Sequence, residues 1–131
     1  MSSIFTKIIQ GEIPSYKVYE DDLCYAFLDI RPLREGHTLV IPKKEVDYIF
    51  DIDEELYTIL LKTARKIALA IGKAIPCDRV GMTVVGLEVP HAHIHLIPIS
   101  AISDMNFSNK PMELSSVEMA NIAKKIAAEI L

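Results

Sequence analysis

The segment Pro90-His91-Ala92-His93-Ile94-His95-Leu96-Ile97-Pro98 alternates imidazole with apolar side chains. Side chains two apart on a β-strand project from the same face. As a strand, the segment sets His91, His93 and His95 in one row and turns Ala92, Ile94 and Leu96 into a core. Three of the chain's four histidines lie in this row. Imidazoles titrate near neutrality, so the row can supply a nucleophile, a proton donor and a phosphate ligand together.

The remaining pattern surrounds that strand with a sheet and helices. Residues 4–10 form a short helix stopped by Gly11 and Pro14. Strands are expected over Lys17–Glu20 and Cys24–Asp29, with Asp21-Asp22 turning between them, and over His37–Pro42 after the loop Arg31–Gly36. Phe27 and Asp29, two apart, share one face of their strand. From Asp53 to about Gly72, Leu56, Ile59, Leu60, Ala64, Ile67 and Ile71 make an apolar stripe at helical spacing. Glu54 and Glu55 suit the N-terminal end of that helix dipole. Residues 82–86 are β-prone. Ser115-Ser116-Val117-Glu118 is a Ser-x-x-Glu capping signal, and Met119, Ile122, Ala123, Ile126, Ala127 and Ile130 follow on one helix face. Strands, a central helix, more strands and a closing helix fit an antiparallel α+β fold, not a parallel βαβ array.

At 131 residues the chain is expected to be one domain, 1–131, large enough to bury a substantial core. The net charge of −4 gives no general attraction to nucleic-acid backbones or anionic membranes, so neither is an expected partner. An anionic substrate would need local positive groups. Cys24 and Cys77 form no C-x-x-C pair and read as reduced thiols of the cytosol. The start, Met1 to Lys7, lacks the apolar core of a signal peptide, and no apolar run approaches the roughly 18 residues that span a bilayer. A soluble, cytoplasmic protein is expected.

Three readings of the histidine row compete. In the first, a half-buried strand carries histidines on its polar face and does nothing with them, which needs three adjacent polar environments. In the second, His-x-His is half of a zinc site. The row spans about 13 Å at ~3.3 Å per residue, so all three reaching one ion is awkward, and a ligand such as His37 or Glu88 would have to join. The third uses every member. A neutral imidazole is a good nucleophile at phosphorus, and a second, protonated imidazole stabilises phosphate oxygens or protonates the leaving group.

At these residues the chain resembles the histidine triad (HIT) family, whose signature is His-φ-His-φ-His-φ-φ with φ apolar, matched by His91-Ala92-His93-Ile94-His95-Leu96-Ile97. Further blocks lie in order upstream: Ile4-Phe5-x-Lys7-Ile8-Ile9-x-x-Glu12-Ile13-Pro14, then Ala26-Phe27-Leu28-Asp29-Ile30 with Pro32, then Gly36-His37-Thr38-Leu39-Val40-Ile41-Pro42-Lys43-Lys44. The resemblance covers about residues 3–98, leaving 99–131 as a C-terminal extension with a helix, and is strongest to the Hint-like branch. It implies a HIT-like α+β fold and hydrolysis or nucleotidyl transfer at the α-phosphate of a purine nucleoside phosphoramidate or related nucleotide. His93 would be the nucleophile that carries a nucleotidyl-histidine intermediate. His91 and His37 would orient and polarise it, and His95 would contact the phosphate and help the leaving group depart. Asp29 would accept from the ribose hydroxyls, and Ile4, Phe5, Ile8, Ile13 and Phe27 would line a slot for the base. No metal or organic cofactor is implied, and relatives of this kind pair as two-fold homodimers. The alternatives are a dinucleoside polyphosphate hydrolase, a nucleotide-binding regulatory module with little catalysis, and a metal-binding protein.

The chain departs from the family pattern in two places. Before the triad, relatives carry an Asn-bearing loop and Gly-Gln-Ser/Thr-Val; here the loop is shortened, Leu87 stands for Gln and Glu88 for the hydroxyl residue. Leu87 cannot hydrogen-bond a phosphate, and an ionised Glu88 repels one and favours a cationic leaving group. Ser3 and Thr6 occupy the places where some relatives have a zinc-binding Cys-x-x-Cys, so no structural zinc is expected.

Overall fold

The computed structural model describes residues 2–130. Five strands, β1 (Lys17–Glu20), β2 (Cys24–Leu28), β3 (Thr38–Pro42), β4 (Arg79–Thr83) and β5 (Ile94–Ile99), form an antiparallel sheet in the order β1-β2-β3-β5-β4. Three helices accompany them, α1 (Ile4–Ile9), α2 (Glu54–Ala74) and α3 (Ser116–Ala128), with short 3₁₀ turns at Ile49–Asp51 and Ile102–Met105. The architecture is α+β.

The strand register gives the sheet two unlike faces. Ala26, Val40 and Ile94 are paired across β2, β3 and β5, and they point with Leu28 and Leu96 into the main core. There Leu56, Leu60, Ala64, Ile67 and Ile71 of α2 and Met119, Ile122 and Ile126 of α3 cover them. The neighbouring row is Phe27, Leu39, His95 and Thr83 across four strands, and it faces the other way. Phe5 and Ile8 of α1 close over its apolar part with Tyr25 and Ile41.

Local chemistry sets the element ends. The Asp53 carboxylate accepts from Leu56 N–H at 3.0 Å and opens α2. That helix runs through Gly72, where the reading from sequence places its end, and continues to Ala74. Pro76 is what stops it, by forcing Ile75 into extended backbone (φ −117°, ψ 125°). Ser115 and Glu118 form the reciprocal capping pair that opens α3. Ahead of β3, Gly36 sits at φ +92°, where a Cβ would come within 2.9 Å of the Ile75 side chain. Only glycine fits that corner, and it delivers His37 to the sheet.

Two strand expectations are corrected. The β-prone run 82–86 is only the end of a strand, since β4 is Arg79–Thr83 and Val84 and Val85 stand exposed beyond it. Pairing stops because Thr83 faces His95, and the chain opposite leaves the ladder just before Ile94. For the same reason His91 and His93 are not on a regular strand, and only His95 lies within β5. A tight turn bonds His91 N–H to Val89 O at 2.8 Å, and Ala92 N–H goes to Val46 O at 2.7 Å. The alternation of burial survives: Ala92, Ile94 and Leu96 enter the core while all three histidines are buried on the other side.

Leu60→Ala removes a fully buried side chain where α2 crosses the sheet and should cost about 2–5 kcal/mol in urea unfolding. Leu69→Ala, at an exposed position of the same helix, should stay within about 0.5 kcal/mol of wild type. Equal losses would show that this face of α2 is not the one that holds the sheet.

Candidate active site

Four buried imidazoles run along β3, from His37 just before it, past His95 opposite Leu39, to His91 beside Pro42 at its end, and their proton positions follow from their partners. His37 Nδ1 faces the Leu33 N–H at 3.0 Å, so it accepts, and the ring proton sits on Nε2. That Nε2–H donates to His95 Nδ1 at 2.9 Å, which places the His95 proton on Nε2. His91 Nε2–H donates to Pro42 O at 2.8 Å, leaving Nδ1 to accept from the Ser3 hydroxyl at 2.8 Å. His93 Nδ1–H donates to the His91 carbonyl at 2.7 Å. His93 Nε2 therefore carries a free lone pair. No buried side-chain nitrogen or oxygen lacks a partner among the described residues, and His93 Nε2 has no hydrogen bond, so it opens to solvent.

These contacts refine the expected division of labour. The His37 imidazole bonds to His95 rather than to His93. His91 reaches His93 through its backbone oxygen and not through its ring. Phe5 packs edge-on against His93 at 5.0 Å and His91 at 5.9 Å between ring centroids. Phe5, Ile8 and Phe27 are buried against one another, while Ile4 is exposed and Ile13 is half-buried beside them. Asp29 follows β2, its Oδ1 accepting from Arg31 N–H at 2.9 Å as in a turn and its Oδ2 lying 3.6 Å from His37 Nε2. The loop before the triad is open: Leu87 is 88% exposed and Glu88 is exposed.

Electrostatics keep His37 and His95 uncharged. Burial lowers the His37 pKa to about 4 and, with the neighbouring imidazoles adding to it, the His95 pKa to about 3. Burial also lowers that of His91, against the opposing pull of the Pro42 carbonyl. His95 at neutral pH is thus a neutral N–H donor, not the protonated imidazole the reading from sequence called for. Burial raises the Asp29 pKa, opposed by the Arg31 N–H.

One neighbour lies beyond the reach of the sequence reading. The segment after β5 folds back so that Phe107 stands edge-on to His95 at 4.9 Å and to His37 at 6.3 Å. Asp104 anchors it by accepting from Ser100 and Ala101 N–H and pairing with Arg34, and Met112 N–H bonds Pro32 O. The segment holds one short 3₁₀ turn, Ile102–Met105, and no run of regular period, so no periodic signal marks this contact.

Two side-chain sets invite a metal reading. Asp29, His37 and His95 place three ligand atoms within 4.8 Å of one another. A ligating nitrogen must be unprotonated, and His37 Nε2 holds its proton as long as Leu33 N–H occupies Nδ1. Around His91 Nδ1, the other candidate donors are the hydroxyls of Ser3 and Thr6 and the Glu45 carboxylate. Hydroxyls are poor replacements for thiolates at a structural zinc, and each of these groups already bonds to its neighbours. Neither set fits a resident metal.

The unfolded chain's histidines titrate near 6.5 while the folded His37 and His95 do not charge until about pH 4 and 3. Acid therefore protonates the unfolded state first, and this contribution to stability is full above about pH 6.5 and lost progressively below it. The Tm of His95→Gln should fall less steeply than that of wild type between pH 6.5 and 4; parallel slopes would show that burial of His95 carries no such cost. Phe107→Ala should admit water to the ring and move the His95 pKa up from about 3, read by NMR titration of its Cε1–H.

Residues 10–101 match the model of the HIT domain. The adenosine 5'-monophosphoramidase of Saccharomyces cerevisiae is 42% identical over 100 residues, covering 72% of this chain and 61% of the yeast protein. Among solved structures, a Hit-like protein involved in cell-cycle regulation from Bartonella henselae superposes with a TM-score of 0.84 at 37% identity, over 98% of this chain and 96% of that one. A Zn-bound histidine triad family protein from Mycobacterium smegmatis gives 0.85 at 26% identity, over 99% and 94%. With this family match, the buried histidine row and the antiparallel sheet, the chain belongs to the histidine triad family, among Hint-like relatives.

Proposed function

We propose that this protein hydrolyses a nucleoside phosphoramidate or related nucleotide at its α-phosphate through a nucleotidyl intermediate on His93. The observation that carries the reading is the His93 Nδ1–H bond to the His91 carbonyl, which leaves Nε2 unprotonated and open. The lone pair on Nε2 attacks the α-phosphorus, the P–N bond breaks, and the amine leaves with a proton from water. The positive charge that develops on the His93 ring is spread toward Nδ1–H and the carbonyl that accepts from it. Water then attacks the same phosphorus and gives a proton to the hydroxide left by the first step, the bond from phosphorus to His93 Nε2 breaks, and the nucleoside monophosphate departs with the electron pair returned to the ring.

The remaining residues fit supporting roles. His95, held by His37 with its Nε2–H free, donates to a phosphate oxygen as negative charge builds there. Asp29 Oδ2 accepts from the ribose hydroxyls, and the apolar group of Ile4, Phe5, Ile8, Ile13 and Phe27 receives the base of a purine nucleotide. The 42% identity to an adenosine 5'-monophosphoramidase supports a phosphoramidate over a dinucleoside polyphosphate. On this reading residues 1–131 act as one HIT domain, and the segment after Pro98 closes one end of the site through Phe107.

A second reading, a nucleotide-binding module with little turnover, draws on the exposed Leu87, which offers no donor to a phosphate. Adenosine 5'-phosphoramidate separates the two. Wild type should release AMP in the presence of EDTA, and His93→Ala should lose the activity by about 10³-fold or more. Asp29→Asn should raise KM by about tenfold with a smaller effect on kcat. Tight AMP binding with no turnover by wild type would favour the binding module.

A further inference from the structure

The site contains a second polar cluster that the proposed reaction does not use. Glu45, in the loop after β3, accepts at Oε1 from Ser3 N–H (2.6 Å) and from the Thr6 hydroxyl (2.7 Å). The Ser3 hydroxyl caps α1 by accepting from Thr6 N–H at 3.0 Å and meets His91 Nδ1 at 2.8 Å. Three elements distant in sequence, the start of α1, the loop after β3 and the turn before β5, are joined here through the Glu45, Ser3 and His91 side chains, beside the backbone bond from Ala92 N–H to Val46 O.

The direction of each proton in this cluster is determined. Thr6 gives its only hydroxyl proton to Glu45, so it has none for His91 Nδ1, which lies 3.4 Å away. Ser3 accepts from the Thr6 backbone, so its own proton is free, and His91 Nδ1 at 2.8 Å is a nearer acceptor than the Thr6 hydroxyl at 3.2 Å. His91 Nδ1 accordingly accepts, and its proton goes to Nε2 and the Pro42 carbonyl. This ring position holds the residue whose own carbonyl takes the His93 Nδ1 proton at 2.7 Å. Hydrogen bonds from Ser3 and Thr6 hold the Glu45 carboxyl down to about 2, so the anchor stays ionised through the physiological range.

We infer that Glu45, acting through Ser3 and Thr6 on His91, is a positioning residue that fixes the tautomer of the nucleophile His93. A hydrogen-bonded quartet does here, without a metal, the work of holding α1 and His91 in register. The inference rests on the assignment of His93 as nucleophile, and on no other part of the proposed reaction. Remove Glu45, and the Thr6 hydroxyl proton is released to compete for His91 Nδ1 or the Ser3 oxygen, while Ser3 N–H loses its acceptor. His91 is then held by its Nε2–H bond to Pro42 O alone, its carbonyl is free to turn from His93 Nδ1, and His93 can place its proton on Nε2, where it blocks attack.

Three variants and two readouts test this. Glu45→Ala should lower kcat by about 10- to 100-fold, the usual loss when an outer partner that orients a histidine is removed, with KM within about twofold. Ser3→Ala should do the same with Glu45 intact. Glu45→Gln keeps a carbonyl oxygen that accepts from both Ser3 N–H and Thr6 O–H, so it should restore kcat to within about threefold of wild type. Rates are taken per folded molecule, below the Tm of the weakest variant. The second readout is ¹⁵N NMR of the His93 ring, which reports Nδ1–H in wild type and should show Nε2–H gaining population in Glu45→Ala and Ser3→Ala. A lower Tm with unchanged kcat and an unchanged His93 tautomer would overturn the inference and leave the cluster as a tie between elements. A tautomer shift in Glu45→Ala alongside a wild type that turns over no phosphoramidate would uphold the positioning and overturn the proposed reaction instead.

Discussion

Everything at this site depends on burying four imidazoles and keeping His37 and His95 among them uncharged. Taking a charged ring out of water is costly, and a neutral ring is tolerated only if its donor and acceptor are both answered. Backbone groups answer most of them. Leu33 N–H fixes His37, which fixes His95; the Pro42 and His91 carbonyls fix His91 and His93. Each bond leaves one proton position for the next ring, so the row behaves as a set of assigned donors and acceptors rather than four independent bases. His93 Nε2 and His95 Nε2–H are the two ring positions left for a ligand, one a lone pair and one a donor.

The fold provides this by giving its sheet two chemistries. One face is sealed by α2 and α3, and its aliphatic packing holds β2, β3 and β5 in fixed register. That register decides which residues share the opposite face: Phe27, Leu39 and His95 are direct cross-strand neighbours, and Asp29 N–H bonds His37 O one step beyond. The aromatic and aliphatic side chains under α1 exclude water from one flank of His93 and Phe107 does so on the flank of His95. Depressed pKa values of His37 and His95 are the electrostatic consequence of this packing.

Much of this was legible in the sequence where signals are local. The period-two alternation of 91–96 correctly divides core from site, and Asp53 and Ser115–Glu118 mark their helices through contacts three residues long. Local signals also misled. Val84 and Val85 have strand-forming side chains, but no partner strand lies opposite them, and a β-branched pair cannot supply one. The His91–His93 stretch alternates like a strand and is buried like one, yet its hydrogen bonds go to a turn and to Val46. What could not be read at all is long-range pairing between ordinary polar residues. Ser3 and Thr6 meet Glu45 across about 40 positions, and Phe107 reaches His95 through a segment of turns with no period.

In the reaction proposed above, uncharged His37 and His95 would also change how an anionic substrate is held. Two carboxyl groups, Asp29 and Glu88, lie near the site, and burial above all, with Glu88 adding to it, raises the Asp29 pKa. Attraction for phosphate therefore cannot come from a standing positive charge on His95, whose burial already opposes it. Oriented N–H dipoles remain, and these cost nothing to reorganise when charge moves onto the phosphate oxygens during attack. In the proposed reaction they would bind the singly charged phosphoramidate weakly and the transition state, with more charge on its phosphate oxygens, more strongly, which is the differential that accelerates a reaction. A permanent cation at His95 would raise affinity for substrate and product alike, slowing release. On that reading, burying His37 and His95 uncharged would trade that affinity for selectivity toward the moment of transfer.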